Sequence, residues 1–124
     1  MIKFNKQNQY WDNHKTLLIT MEVDGFLMGS ARIQNIDGEV TLESFYIETS
    51  NKGYGKLLME EIEKYLTGSR LSVLNSDTKQ VLKINQVYLM VKQTNKYAIR
   101  LYESFGYKLF KPEDEEYDWY YKTY

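Results

Sequence analysis

The chain contains no cysteine among its 124 residues. That excludes disulfides, thiolate metal ligands and a cysteine nucleophile. Histidine occurs once, at His14, so a zinc site or a serine–histidine triad has little material, and no metal is expected. Proline also occurs once, at Pro112, so turns must rest on glycine, asparagine and aspartate. Neither sign of charge dominates: 16 Lys and Arg stand against 17 Asp and Glu, a net charge of -1. General nucleic-acid binders usually carry a basic excess, so none is expected here. No apolar run approaches the ~20 residues that span a bilayer. The opening "MIKFNKQNQYWDNHK" is polar and lacks the apolar stretch of a signal peptide. The expectation is a cytoplasmic protein with no membrane partner.

What is present is ordinary in proportion: 43% hydrophobic and 27% charged residues, as in soluble globular proteins. The length fits a single domain over residues 1–124, with roughly two thirds of the unfolded surface buried on folding. Twelve tyrosines are many for this length, and composition alone gives them no function.

Three strand candidates follow one another: 15–23, 26–34 and 39–47. Asp24-Gly25 and the segment 35–38 supply the turns, so the three read as an antiparallel meander. A helix should begin near Gly53. Tyr54, Leu57, Leu58, Ile62, Tyr65 and Leu66 form its apolar stripe, Glu60 and Lys64 an i,i+4 pair, and Gly68 a stop. Residues 69–85 give no readable pattern. Residues 86–91 read as a buried strand. A second helix starts at or just after Asn95, with Ala98, Leu101, Tyr102 and Phe105 on one stripe and Gly106 ending it. Strands at 107–110 and 118–124 close the chain around the acidic loop 111–116. The predicted order is β-β-β-α-β-α-β-β, a mixed α/β (α+β) fold, with 1–14 a reduced N-terminal segment.

Two stretches carry chemistry. In "FYIETSNKGYGKLL" (45–58) a strand runs through a two-glycine turn into a helix. Gly53 and Gly55 can take positive φ and let a ligand approach the backbone. Free amides at a helix N-terminus favour phosphate, although two such glycines also make an ordinary tight turn. In "NKYAIRLYESFGY" (95–107), Tyr102 lies on the apolar stripe, and packing alone would explain it.

Together, "NKGYGKLL" and "LMVKQTNKYAIRLYESFGY" resemble the GNAT superfamily of acyl-CoA-dependent N-acetyltransferases. The family motif Q/R-x-x-G-x-G/A reads here Ser50-Asn51-Lys52-Gly53-Tyr54-Gly55. The pattern L-x-V, then N-x-x-A-x-x-L-Y-x-x-x-G-F/Y, reads Leu89-Met90-Val91, then Asn95, Ala98, Leu101, Tyr102, Gly106 and Tyr107. The resemblance covers roughly residues 15–124. It departs in three places: Ser50 stands where glutamine or arginine is usual, the 47–53 loop is about two residues short, and the strand and two helices that wall the acceptor site are mostly missing.

The resemblance implies a mostly antiparallel sheet with a central β-α-β-α core that binds acetyl-CoA as co-substrate. It implies a pantetheine arm between Phe45-Tyr46-Ile47 and the strand 87–91, and a pyrophosphate on the amides of Asn51, Lys52, Gly53, Tyr54, Gly55 and Lys56. It implies Asn95 bonding the cofactor arm and Tyr102 protonating the departing thiolate. For the amine acceptor, whether a small amine, a protein lysine or a protein N-terminus, Glu43 is the candidate base, placed on the same face as Phe45 and Ile47. Glu22 and Glu48 are weaker candidates. The alternative is a catalytically weak or inactive module of the same fold that binds acyl-CoA or a protein partner; Ser50 and the reduced N-terminus favour it, while Asn95 and Tyr102 favour the enzyme. A homodimer is a further expectation, drawn from the shortage of chain before residue 15 together with the aromatic final strand, with Tyr117, Trp119 and Tyr121 and its pairing edge.

Overall fold

Alternating side chains in the first third of the chain become a four-stranded meander. In the computed structural model, which describes residues 1–11, 14–36, 39–49, 52–67, 72–74, 81–83 and 86–124, these strands are β1 (Ile2–Trp11), β2 (His14–Val23), β3 (Phe26–Ile36) and β4 (Glu39–Ile47). Each pairs antiparallel with the next. Asp24 and Gly25 turn the β2–β3 hairpin with φ of 50° and 86°, the two left-handed positions that a tight hairpin matched to strand twist requires.

After β4 the period changes from two to 3.6. Leu58, Ile62 and Leu66, spaced by four, are fully buried on α1 (Tyr54–Thr67), so its apolar stripe lies against the sheet. Lys6 reaches Glu61 of this helix at 2.8 Å, and Lys122 reaches Glu63 at 2.9 Å. A short hairpin of β5 (Ser72–Leu74) and β6 (Val81–Lys83) stands apart from the main sheet. Then come β7 (Gln86–Lys92), α2 (Lys96–Ser104), β8 (Lys108–Pro112) and β9 (Tyr117–Thr123). The seven-stranded sheet has the order β1-β2-β3-β4-β7-β9-β8. Only β4 and β7 run parallel within it. The α2 helix closes on Gly106 (φ 94°). The Gly106 N–H donates to the Glu103 carbonyl and the Tyr107 N–H to the Tyr102 carbonyl, a Schellman-type end that needs a left-handed residue at this place.

The mixed, mostly antiparallel sheet agrees with the fold class expected. Four details differ. Residues 2–11 form a full strand where no strand was expected, and with the β5–β6 hairpin the order becomes β-β-β-β-α-β-β-β-α-β-β. β1 lies at the sheet edge and, among its described side chains, seats Phe4 against the core, so its polar sequence needs no strong alternation. Lys64 pairs with Glu61 at 3.9 Å rather than with Glu60. Finally, β9 is bonded on both sides, to β7 and β8. It is not an edge, so the pairing-edge argument for a homodimer falls away. Gly68, the expected stop of α1, lies outside the described residues.

Candidate active site

The parallel pair at the centre of the sheet is brief. β4 and β7 are in register only at Val40–Val87, Thr41–Tyr88 and Leu42–Leu89. β4 continues to Ile47 and β7 to Lys92, with no ladder between them. The cause lies in β4. Its register on β3 steps from Arg32–Glu43 to Ser30–Tyr46, so Ser44 and Phe45 together face one residue of β3. Ser44 takes φ 53°. This is a β-bulge, which bends its strand and sharpens the local twist. The bent strand leaves its parallel neighbour, and the facing backbone groups of Glu43–Ile47 and Met90–Lys92 are left without strand partners across the gap.

Both helices begin at this end. The carboxyl ends of neighbouring parallel strands are where open α/β sheets place ligands. Gly53 takes φ 80° just before α1, and Leu57 N–H reaches the Gly53 carbonyl at 3.2 Å. The N–H groups of the first helical turn, Tyr54 to Lys56, have no intrahelical acceptor. Lys52 and Lys56 are exposed beside them. Gly55 has a different task from Gly53. A Cβ on Gly55 would lie 2.7 Å from the Tyr97 hydroxyl and 3.0 Å from a Leu101 methyl, so Gly55 lets the start of α1 close on α2. Asn51 and Ser50 lie outside the described residues.

Asn95 caps α2, its Oδ1 accepting from the Ala98 N–H at 3.2 Å. Tyr102, in the last turn of α2, meets Phe45 edge to face with ring centroids 5.7 Å apart, and its ring lies 6.1 Å from that of Tyr107. Its residue exposure is 5%, and burial pushes the phenol well above the usual tyrosine value. The Tyr102 hydroxyl has no hydrogen bond to the described residues. Yet the Tyr107 hydroxyl is the only partnerless fully buried side-chain polar atom among them. The Tyr102 oxygen therefore keeps some access to solvent while its ring is packed.

The bulge also corrects the placement of Glu43. Phe45 and Ile47 pack on the helix-side core with Val40 and Leu42, because the extra residue shifts the alternation by one. Glu43 points to the other face. There it accepts from the Thr41 hydroxyl at 3.4 Å, and the Gln34 amide, oriented to donate, lies 2.8 Å from both of its carboxylate oxygens. Tyr46 shares that face and donates to Glu48. The structure thus brings Phe45, Ile47, Tyr102 and the start of α1 together on one side of the sheet, with Glu43 and Tyr46 on the other side of the same gap. Gln34 had no signal in the sequence beyond being a polar residue at the end of a strand.

The family model described as Acetyltransferase (GNAT) family matches residues 2–107. No curated protein matches the chain in sequence. Among solved structures, the chain is similar to the PaiA N-acetyltransferase of Thermoplasma acidophilum in complex with coenzyme A (22% identity, TM-score 0.68), over 88% of this chain and 61% of that one. It is similar to Campylobacter jejuni N-acetyltransferase PseH in complex with acetyl coenzyme A (22% identity, TM-score 0.62), over 87% of this chain and 67% of that one. It is also similar to the ribosomal-protein-S18-alanine N-acetyltransferase of Escherichia coli (16% identity, TM-score 0.71), over 99% of this chain and 94% of that one. The chain thus spans about three fifths of the first of these and nearly all of the last.

Proposed function

The chain belongs to the GNAT acetyltransferase family, and from that premise we propose that it transfers the acetyl group of acetyl-CoA to a primary amine by direct attack. The observation that carries this reading is the end of β4–β7 pairing at Leu42–Leu89. It leaves an extended strand, Phe45–Ile47, with backbone groups available to the amide-bearing pantetheine arm. A backbone N–H there would also bind the thioester oxygen as negative charge develops on it. The α1 amides from Lys52 to Lys56 would hold the pyrophosphate, with the lysine charges beside it. Asn95 is committed to its cap through Oδ1, so it would meet the cofactor through its amide N–H groups.

Glu43 and Tyr102 lie on opposite sides of the sheet at the gap, and this divides the chemistry. The amine approaches on the Glu43 side, and the thiolate leaves toward Tyr102 on the helix side. An alkylammonium of pKa ~10.4 must lose a proton before it attacks, a deficit of ~4 kcal/mol near neutral pH. Glu43, directly or through water, accepts that proton; the free amine then forms the N–C bond to the thioester carbon, and the adduct loses its second proton to water. The C–S bond then breaks, and the thiolate takes a hydrogen bond from Tyr102. The raised phenol keeps its proton through the physiological range, so it is always a donor. Full transfer to a thiolate of ordinary pKa ~8.5 would be uphill. The burial that raises the phenol would also raise a thiol held beside it, which narrows that gap.

The test is thiol release from acetyl-CoA with polylysine, an alanine-initiated peptide and spermidine as amines. Protein-dependent release with any of them supports the reading. Tight acetyl-CoA binding with no release from any would favour a binding module of the same fold, and neither binding nor release would defeat both.

A further inference from the structure

We infer that Gln34 is a positioning residue that holds the Glu43 carboxylate at the mouth of the gap for proton abstraction from the amine, an inference that rests on the acetyl-transfer reading above. Four observations meet here. Glu43 is the first β4 residue past the last paired position, Leu42, so it stands where the gap opens. It is exposed, and an exposed glutamate side chain on a strand samples several rotamers. Gln34 has only 8% exposure. Its place opposite Thr41 in β3–β4 and opposite Thr16 in β2–β3 leaves the amide little freedom. From that fixed base it lies 2.8 Å from both oxygens of Glu43, and Thr41 adds a hydroxyl at 3.4 Å.

A buried amide needs an acceptor for its N–H groups, and here the acceptor is a carboxylate, which makes the contact charge-assisted. An amide suits the task better than a lysine. It orients the carboxylate without neutralising it, so the oxygens keep lone pairs for a proton. Its partner is one residue from Ser44, whose left-handed backbone turns the next side chain to the opposite face. The ladder contact and the bulge together fix Glu43 toward the amine side.

The test uses Gln34→Leu, Glu43→Gln and the double variant, assayed with acetyl-CoA and whichever of the three amines the wild type acetylates. Gln34→Leu is expected to lower kcat roughly tenfold through misplacement of the base, with KM for acetyl-CoA unchanged. The double variant is expected to match Glu43→Gln, since Gln34 acts only through Glu43. A wild-type kcat in Gln34→Leu, or a double variant well below Glu43→Gln, overturns the inference while leaving acetyl transfer intact. No turnover by the wild type itself refutes the acetyl-transfer reading and this role with it. If Gln34→Leu does not fold, Gln34→Glu serves: it keeps the shape, removes the donor, and must lose at least as much in kcat. An independent measurement is the Gln34 side-chain amide signal in nitrogen–proton correlation spectra. It must move when Glu43→Ala removes the acceptor, and an unmoved signal contradicts the contact.

Discussion

Phe45 and Tyr102 meet edge to face, 5.7 Å between ring centroids, across the interface between the bulged strand and the second helix. The contact joins a residue displaced by the bulge to the proposed thiolate partner, and it orients a phenol whose oxygen still reaches solvent. Tyr102→Phe keeps both ring contacts and removes only the hydroxyl. It is expected to melt near the wild type, to bind acetyl-CoA nearly as well, and to lose turnover by about 10²-fold, the low end for acid–base groups. Steady-state kinetics beside a melting curve checks this; unchanged kcat would return Tyr102 to packing alone.

The two glycines of the turn are expected to respond differently. Gly55→Ala drives a methyl group toward the Tyr97 hydroxyl and Leu101, an overpacking that costs about 1–3 kcal/mol. Gly53→Ala meets no atom within 4 Å but must hold φ at 80°, which costs roughly 1–2 kcal/mol. Denaturant unfolding of both separates the causes. A further Tyr97→Phe change, which removes the clashing hydroxyl, should recover stability in Gly55→Ala and not in Gly53→Ala.

Behind Tyr102 lies a second set of phenols. The Tyr124 hydroxyl donates to Glu63 at 2.7 Å, and the Tyr107 hydroxyl is buried without a hydrogen bond of ordinary geometry. Burial raises Tyr102, Tyr107 and Tyr124 above the usual tyrosine value, and neighbouring Glu63 pushes the last two further. A phenol raised on folding supports the folded state fully below the unfolded value of ~10, and that support is lost as pH climbs above it. Stability should therefore fall above pH ~10. Tyr107→Phe removes one such group together with a partnerless hydroxyl. It is expected to be neutral or stabilising by up to about 1 kcal/mol at pH 7 and to weaken the alkaline fall. Melting temperature against pH for the two proteins checks it, and an identical alkaline slope would refute it.

Glu63 ties the end of the chain to α1, accepting from both Lys122 and Tyr124. Its side chain is 14% exposed and that of Lys122 is 22% exposed, so solvent screens the pair only in part. Glu63→Ala is expected to cost about 1–3 kcal/mol, mostly from leaving two donors unanswered. Glu61→Ala, with the more exposed partners Lys6 and Lys64, should cost less than about 1 kcal/mol. Equal losses in urea unfolding would contradict the ranking.

What the sequence made legible follows from where its signals are strong. The stripe from Ala98 to Phe105 and the run 86–91 combine periodicity with caps, so α2 and β7 were readable to within a residue or two. β1 is not, because an edge strand needs little alternation and this one is rich in Asn, Gln and Lys, a composition of low strand preference. The bulge was hidden for a sharper reason. Its left-handed position is Ser44, not a glycine, so nothing in the sequence marks the place where alternation fails, and unbroken alternation assigns Glu43 to the face of Phe45 and Ile47. Gln34 escaped because its value comes from a cross-strand neighbour nine positions away. In sequence Gly53 and Gly55 form one motif, and only three dimensions separate the turn from the close approach.

Acetyl-CoA is proposed to occupy the gap opened by the Ser44 bulge. The most direct measurement is the nitrogen–proton correlation spectrum of the backbone titrated with acetyl-CoA. The largest displacements are expected on Phe45, Tyr46 and Ile47 of β4 and on Tyr54, Gly55 and Lys56 at the start of α1, saturating together. Displacements confined to other surfaces, or none at millimolar acetyl-CoA, would contradict it.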